Sequence, residues 1–102
     1  MAPRIGMVAI DLDGTLLDRE KRIGERTATA IRGLAGRAKV VIASARPPRS
    51  VRTFWEALGL DTWQINYNGA LIWDEKGRRA VDHRPMDGEG LAAAVRLRAG
   101  RI

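Results

Sequence analysis

The chain has no cysteine, a single histidine and few aromatic residues, which make up 5% of its 102 positions. Without cysteine it has neither a disulfide framework nor a thiolate metal site. No apolar run approaches the roughly 20 residues that span a bilayer, and the N-terminus lacks the basic and apolar regions of a signal peptide. These absences favour a cytoplasmic protein without a membrane partner.

Positive charge dominates, since 18 Lys and Arg residues against 12 Asp and Glu give a net charge of +6. Clustered basic residues would support nucleic-acid binding. Here they are scattered from Arg4 to Arg101 without a recognition motif, which disfavours a nucleic-acid partner. A positively charged protein surface would also attract small phosphorylated molecules. An apolar fraction of 45% over this length indicates one globular domain.

Apolar runs alternate with helical periodicities along the chain. The pattern predicts strands over 5–10, 39–43 and 63–66, and helices over 25–34 and 47–58. This βαβαβ order predicts an α/β fold with a partial doubly wound, Rossmann-like parallel sheet. Because the first run is almost entirely apolar, we expect that strand to be covered on both faces.

The pattern then changes. Apolar residues at 70–73 and 79–82 flank a polar segment, 74–78, which predicts a β-hairpin. Apolar positions within 90–97 predict a short amphipathic C-terminal helix.

Two carboxylates, Asp11 and Asp13, follow the first predicted strand immediately before Gly14. Residues i and i+2 of a strand point the same way, so both can project into one volume at the strand's carboxyl end. Ligands of open α/β sheets bind beyond those ends. The alternative is an ordinary Asp-Gly turn with solvated carboxylates.

Three segments, taken in order, resemble the haloacid dehalogenase superfamily of phosphohydrolases. They are Asp11-Leu12-Asp13-Gly14-Thr15-Leu16-Leu17, Ile42-Ala43-Ser44-Ala45-Arg46-Pro47 and Asn68-Gly69-Ala70. Their order further resembles the Cof-type sugar-phosphate phosphatases, which insert an α/β cap after the third core strand. The resemblance implies that residues 1–85 form the N-terminal part of the core domain, hairpin included, and that residues 86–102 begin the cap or form a C-terminal helix.

The resemblance also implies an activity, the Mg²⁺-dependent hydrolysis of a small phosphorylated metabolite such as a sugar phosphate, through an aspartyl phosphate. Asp11 would be the nucleophile and Asp13 the general acid and base. The carboxylate of Asp11 and the backbone carbonyl of Asp13 would hold the Mg²⁺. An acid role requires a protonated Asp13 for part of the time, and we expect the neighbouring carboxylate to favour this by raising its pKa.

The residues that the resemblance places at the phosphate or substrate all follow a predicted strand: Leu12, Gly14, Ser44, Ala45, Arg46, Asn68 and Gly69. Backbone N–H groups of the first two and of Ala45 would cradle phosphate oxygens, and the Ser44 hydroxyl would donate to another. Four of them also have a simpler interpretation. Ser44 would equally cap the next helix, Arg46 would equally be solvated, and turn formation alone explains Asn68 and Gly69.

The sequence departs from the family pattern in one respect. The complete fold carries, beyond the cap, a lysine that neutralises the phosphate and an acidic strand end that completes the Mg²⁺ shell. Neither is recognisable in these 102 residues, and none of Lys21, Lys39 and Lys76 has the strand-to-helix context of that lysine. The alternative function is therefore a catalytically incomplete fragment or an interaction module that retains the first half of the fold.

In the family's sheet the first strand is central, with strands of the second half on one side. Without that half it becomes an edge, and an apolar edge such as Met7-Val8-Ala9-Ile10 invites pairing with another chain. We therefore expect a homo-oligomer or a complementing chain at this strand.

Overall fold

The computed structural model describes residues 5–84, which form a five-stranded sheet and two helices. The strands are β1 (Met7–Ile10), β2 (Lys39–Ala43), β3 (Gln64–Asn66), β4 (Leu71–Asp74) and β5 (Arg79–His83). The helices are α1 (Glu25–Ala35) and α2 (Pro48–Ala57). The elements predicted over this part of the chain are all present, with small differences at their ends. The helix predicted over 90–97, like the segment 86–102 as a whole, lies outside the described residues.

The sheet has the order β1-β2-β3-β4-β5. The first three strands are parallel, whereas β4 and β5 run antiparallel to their neighbours and form the predicted hairpin. This arrangement confirms the predicted βαβαβ unit followed by a hairpin. Among the described strands β1 pairs only with β2, so it lies at an edge of the described sheet, as expected for the first half of the family's fold.

Local sequence features explain where the two helices begin and end. Helix α1 turns Ala28 and Ile31, three residues apart, into the core and ends before Gly36. Helix α2 has Pro48 in its first turn, where a missing N–H breaks no helical hydrogen bond. Its Val51 is fully buried. Within residues 5–84, neither helix has the length and apolarity needed to cross a membrane.

The main hydrophobic cluster lies on one face of the sheet. Val40 and Ile42, alternate residues of β2, belong to the same cluster as the buried residues of both helices, so both helices cover that face. Successive right-handed crossovers in one direction produce this arrangement. The buried members of the cluster are Leu12, Leu16, Leu17, Ala28, Ile31, Val40, Ile42, Val51, Leu58 and Leu60.

The expectation that β1 is covered on both faces is wrong for the described part of the chain. Met7 is 61% exposed and Ala9 is also exposed, whereas Val8 and Ile10 are partly buried. The latter two pair in register with core residues of β2 and so face the helices. Since both helices lie on that side, no described element covers the opposite face of β1.

Candidate active site

The carboxyl ends of β1, β2 and β3 lie side by side and bring several predicted residues together. A cleft of about 330 Å³ opens at this point. It is lined by Asp11, Ala43, Ser44, Ile65, Asn68 and Gly69. Four of these are residues that the sequence analysis placed at the site, from three separate segments of the chain. Parallel pairing aligns the strand ends and so assembles the cleft.

The segment after β1 makes a wide turn that carries both carboxylates. Leu12, between them, is fully buried, and its carbonyl accepts the N–H of Leu17 at 2.9 Å. Gly14 has a φ of 80°, a left-handed conformation that favours glycine. The Leu12 N–H donates to Oδ1 of Asp11 at 2.8 Å. This N–H, expected at a phosphate oxygen, is therefore engaged by the carboxylate that precedes it.

Asp13 is held by two cations. Arg46 donates from Nε to Oδ2 and from Nη2 to Oδ1, both at 2.9 Å, in a bidentate pair. Lys21 Nζ lies 3.2 Å from Oδ1. The hydrogen bonds from Arg46 and then from Lys21 hold the pKa of Asp13 well below its usual value. The expectation that the pKa of Asp13 is raised is therefore wrong, because these contacts stabilise the ionised carboxylate.

Arg46 shares in this stabilisation, since the same hydrogen bonds to Asp13 raise its pKa. Its guanidinium also lies 5.5 Å from the centroid of the Phe54 ring, within the range of a cation–π contact. The interpretation of Arg46 as merely solvated is not what the structure shows, because the Asp13 carboxylate and the Phe54 ring both hold its guanidinium. Whether it contacts a substrate remains a prediction.

Ser44 is 3% exposed and lies at the end of β2. Its Oγ accepts the N–H of Arg46 at 3.0 Å, two residues on, while the N-cap residue of α2 is Pro47. Ser44 is therefore not the helix cap. A hydroxyl that accepts one hydrogen bond still has its own proton to donate. That proton is available to a ligand in the cleft, and exposed Ala45 follows at the rim.

Asn68 and Gly69 form a turn and also line the cleft, so the two interpretations of this pair are compatible. Their φ values are 54° and 100°, and Tyr67 before them is at 50°. The Asn68 N–H donates to the carbonyl of Ser44 at 3.1 Å. This bond ties the turn after β3 to the end of β2.

A line of buried polar residues beneath the site was not among the residues predicted from the sequence. Asn66 donates from Nδ2 to the backbone carbonyl of Arg46 at 3.1 Å and to Oε1 of Gln64 at 3.0 Å. Both side chains are fully buried. The available signal was a pair of polar residues at alternate positions of a short strand, on the face turned toward the core. Asn66 thus supports the loop that carries Arg46.

Glu75 lies at the other end of this line of polar residues. Together with Arg52, Gln64 and Trp73 it forms what we call the buried cluster. The carboxylate accepts from Arg52 Nε, from Trp73 Nε1 at 2.8 Å and from Gln64 Nε2 at 3.3 Å. Glu75 is 4% exposed. A buried carboxylate with an arginine and two neutral donors is well compensated for the loss of water.

The sequence matches the model of the haloacid dehalogenase-like hydrolases over residues 8–99. This chain belongs to that family. Phosphatase YwpJ of Bacillus subtilis is 38% identical over 82 residues, which cover 79% of this chain and 28% of that protein. Pyridoxal phosphate phosphatase YbhA of Escherichia coli is 31% identical over 81 residues, covering 78% and 30%.

A solved haloacid dehalogenase-like hydrolase from B. subtilis superposes with a TM-score of 0.71 and 32% identity. The match covers 89% of this chain and 32% of that one. Another such hydrolase, from Bacteroides thetaiotaomicron, shares the fold with a TM-score of 0.74 at 21% identity. The chain therefore spans 28% to 32% of the length of the two curated relatives and the B. subtilis structure.

The family implies a Mg²⁺ ion, so the oxygen atoms available in this structure can be compared with the ligands that Mg²⁺ requires. Within residues 5–84, no group of three His, Asp or Glu side chains is arranged to hold a metal. Mg²⁺ keeps several waters and binds through one or two carboxylates plus substrate phosphate. The Asp11 carboxylate and the Asp13 backbone carbonyl are oxygen donors of the right kind. They fit a largely hydrated ion.

Proposed function

We propose that this chain supplies the nucleophile side of a Mg²⁺-dependent phosphoric monoester hydrolase, whose substrate is a small phosphorylated metabolite such as a sugar phosphate. We place its action in the cytoplasm. The observation that carries the proposal is the cleft in which Asp11 and Ser44 meet. Membership of the hydrolase family, with named phosphatases among the relatives, supports it.

In this mechanism Asp11 begins the reaction. One carboxylate oxygen forms a bond to phosphorus as the bond to the leaving alkoxide breaks, which produces an aspartyl phosphate that water then hydrolyses. The Ser44 hydroxyl donates to a phosphate oxygen, and Arg46 supplies positive charge at the rim. The Asp11 carboxylate and the Asp13 backbone carbonyl would hold Mg²⁺, which when bound would offset the repulsion between the nucleophile and the phosphate.

Asp13 has the acid and base role. Its ionised form suits the second half of the reaction, in which it accepts a proton from the attacking water. In the first half the alkoxide needs a proton, and Asp13 can carry one only when Arg46 and Lys21 no longer occupy its oxygens. The ion pairs of the resting structure therefore have to be exchanged during turnover.

The test is hydrolysis of p-nitrophenyl phosphate by the 102-residue chain, with Mg²⁺ and with EDTA. We expect Asp11→Asn to lower the Mg²⁺-dependent rate by about a thousandfold, because it removes the nucleophile. Asp61→Asn is the matched control, since Asp61 is an exposed carboxylate before β3. Activity that survives Asp11→Asn would contradict the mechanism.

A second candidate function, self-association through β1, has its own observation. The two described edges of the sheet differ in character, because β1 consists of apolar residues and leaves Met7 61% exposed, whereas β5 itself contains Arg79, Asp82 and His83. Ile5, just before β1, is 72% exposed. We propose that a second copy of this chain pairs along β1 across a twofold axis, which brings two like apolar edges together.

Sedimentation equilibrium tests this candidate. We expect a dimer for the unaltered chain, a monomer for Met7→Lys, since a lysine on an edge strand opposes pairing, and a dimer for the control Val81→Lys on β5. A well-folded unaltered chain that stays monomeric at high concentration would rule out the second copy. A complementing chain at β1 would also leave the unaltered protein monomeric on its own.

A further inference from the structure

Lys21 is a cation at the candidate site that no sequence motif indicated. It lies eight residues after Asp13, and its Nζ shares the Asp13 Oδ1 atom with Nη2 of Arg46, at 3.2 and 2.9 Å. The lysine and arginine side chains are 62% and 27% exposed. Both cations therefore stand where solvent, and a ligand, can reach them.

A tight turn holds Lys21 in place. The Asp18 carboxylate accepts the N–H groups of residues 20 and 22, both at 2.9 Å, and the Asp18 carbonyl accepts the Lys21 N–H at 3.0 Å. Leu17 and Ile23 form a bridge across its base, and both pack against the core. Lys21 itself has a φ of 61°, an uncommon conformation for a residue with a side chain. The backbone is thus fixed at the position that presents this lysine.

The ion pair between Lys21 and Asp13 does not explain why the turn is held in this way, if its only effect is on stability. Exposed ion pairs contribute little to the free energy of unfolding. The charge balance is more informative. With Lys21 present, the charges of Asp11, Asp13, Arg46 and Lys21 cancel, whereas without it the same group would be negative and would repel a phosphate.

We propose that Lys21 binds the phosphate group of the substrate, as a second cation beside Arg46. The proposal rests on the phosphatase function and deepens it. On entry of the phosphate, the ammonium and guanidinium groups leave the Asp13 carboxylate for the phosphate oxygens, which carry more negative charge. No bond is made or broken in this exchange.

Binding of inorganic phosphate to the 102-residue chain, measured by calorimetry without Mg²⁺, tests the proposal separately from hydrolysis. We expect Lys21→Gln to weaken binding about fivefold, the loss of one near-surface charge interaction. Lys21→Arg keeps the charge and should restore most of the affinity. Lys76→Gln, on the exposed hairpin turn, removes the same charge elsewhere and should leave the Kd unchanged.

A second set of variants, made in the Asp13→Asn chain, distinguishes phosphate binding by Lys21 from a role limited to pairing with Asp13. In Asp13→Asn both cations are released, so phosphate should bind more tightly than in the unaltered chain, and Lys21→Gln should still weaken it. An unchanged Kd in Lys21→Gln, an equal loss in Lys76→Gln, or no saturable phosphate binding by the unaltered chain would overturn the proposal. Absence of Asp11-dependent hydrolysis, by contrast, would count against the phosphatase function alone.

Discussion

Glu75 and Asp13 each pair with an arginine, but the two carboxylates differ in how far they are exposed to solvent. In the buried cluster the side chains of Glu75 and Arg52 are 2% and 26% exposed. In what we call the exposed cluster, Asp13 with Arg46 and Lys21, the carboxylate is 42% exposed. A buried pair cannot exchange its partner without leaving a charge unsolvated, whereas an exposed pair loses little when a ligand replaces one member. The buried cluster therefore suits a structural role, and the exposed cluster suits ligand binding.

The largest effect on stability is expected from Glu75→Gln. It removes the counter-charge of Arg52 at a carboxylate position that is only 2% exposed, and we expect a loss of about 2 kcal/mol in the free energy of unfolding. Urea denaturation measures it. The matched control is Asp82→Asn, which removes a half-exposed carboxylate 3.3 Å from Arg84 and should leave the unfolding midpoint unchanged. Equal stability of Glu75→Gln and the unaltered chain would remove the contrast between the clusters.

A smaller effect is expected from the titration of Asp13. In carbon-detected NMR its carboxyl group should titrate well below the usual value of 3.8, and Arg46→Gln should return it toward that value. Because the pKa is lower in the folded than in the unfolded chain, the associated stability is complete above the unfolded pKa. It is lost as the pH falls toward the folded one. An unperturbed Asp13 titration would mean that the two cations do not hold it in solution.

The smallest effect is expected from salt. Raising the ionic strength from about 0.01 M to about 1 M shortens the Debye length from roughly 30 to 3 Å. The pKa of Asp13 should then rise, because this carboxylate is 42% exposed, while the destabilisation caused by Glu75→Gln should stay the same. Equal salt sensitivity of the two measurements would indicate that burial does not separate the clusters.

Much of the fold and part of the site were predictable from sequence, for local reasons. Apolar periodicity located the strands and helices, and parallel pairing then had to bring Asp11 and Ser44 to the same end of the sheet. The position of Asn68 beside them followed from the third strand. These are consequences of chain order and strand direction, which a sequence displays.

The remainder depended on contacts that no local pattern records. Which face of β1 is covered depends on where both helices pack, and the lowered pKa of Asp13 depends on Arg46, 33 residues away. Lys21 reaches the site only because the turn after Leu17 folds back. Its available signal was a short polar segment between Leu17 and Ile23, which is typical of a tight hairpin.

Leu12 has a consequence for how the site can be observed. It is the residue between the two carboxylates, and its side chain is fully buried in the core. The segment therefore cannot rotate to re-aim Asp11 or Asp13 without withdrawing an apolar side chain from its packing. The methyl resonances of Leu12 would then report on the core and on the candidate site at once. They would register a ligand bound in the cleft although Leu12 itself is not exposed to that ligand.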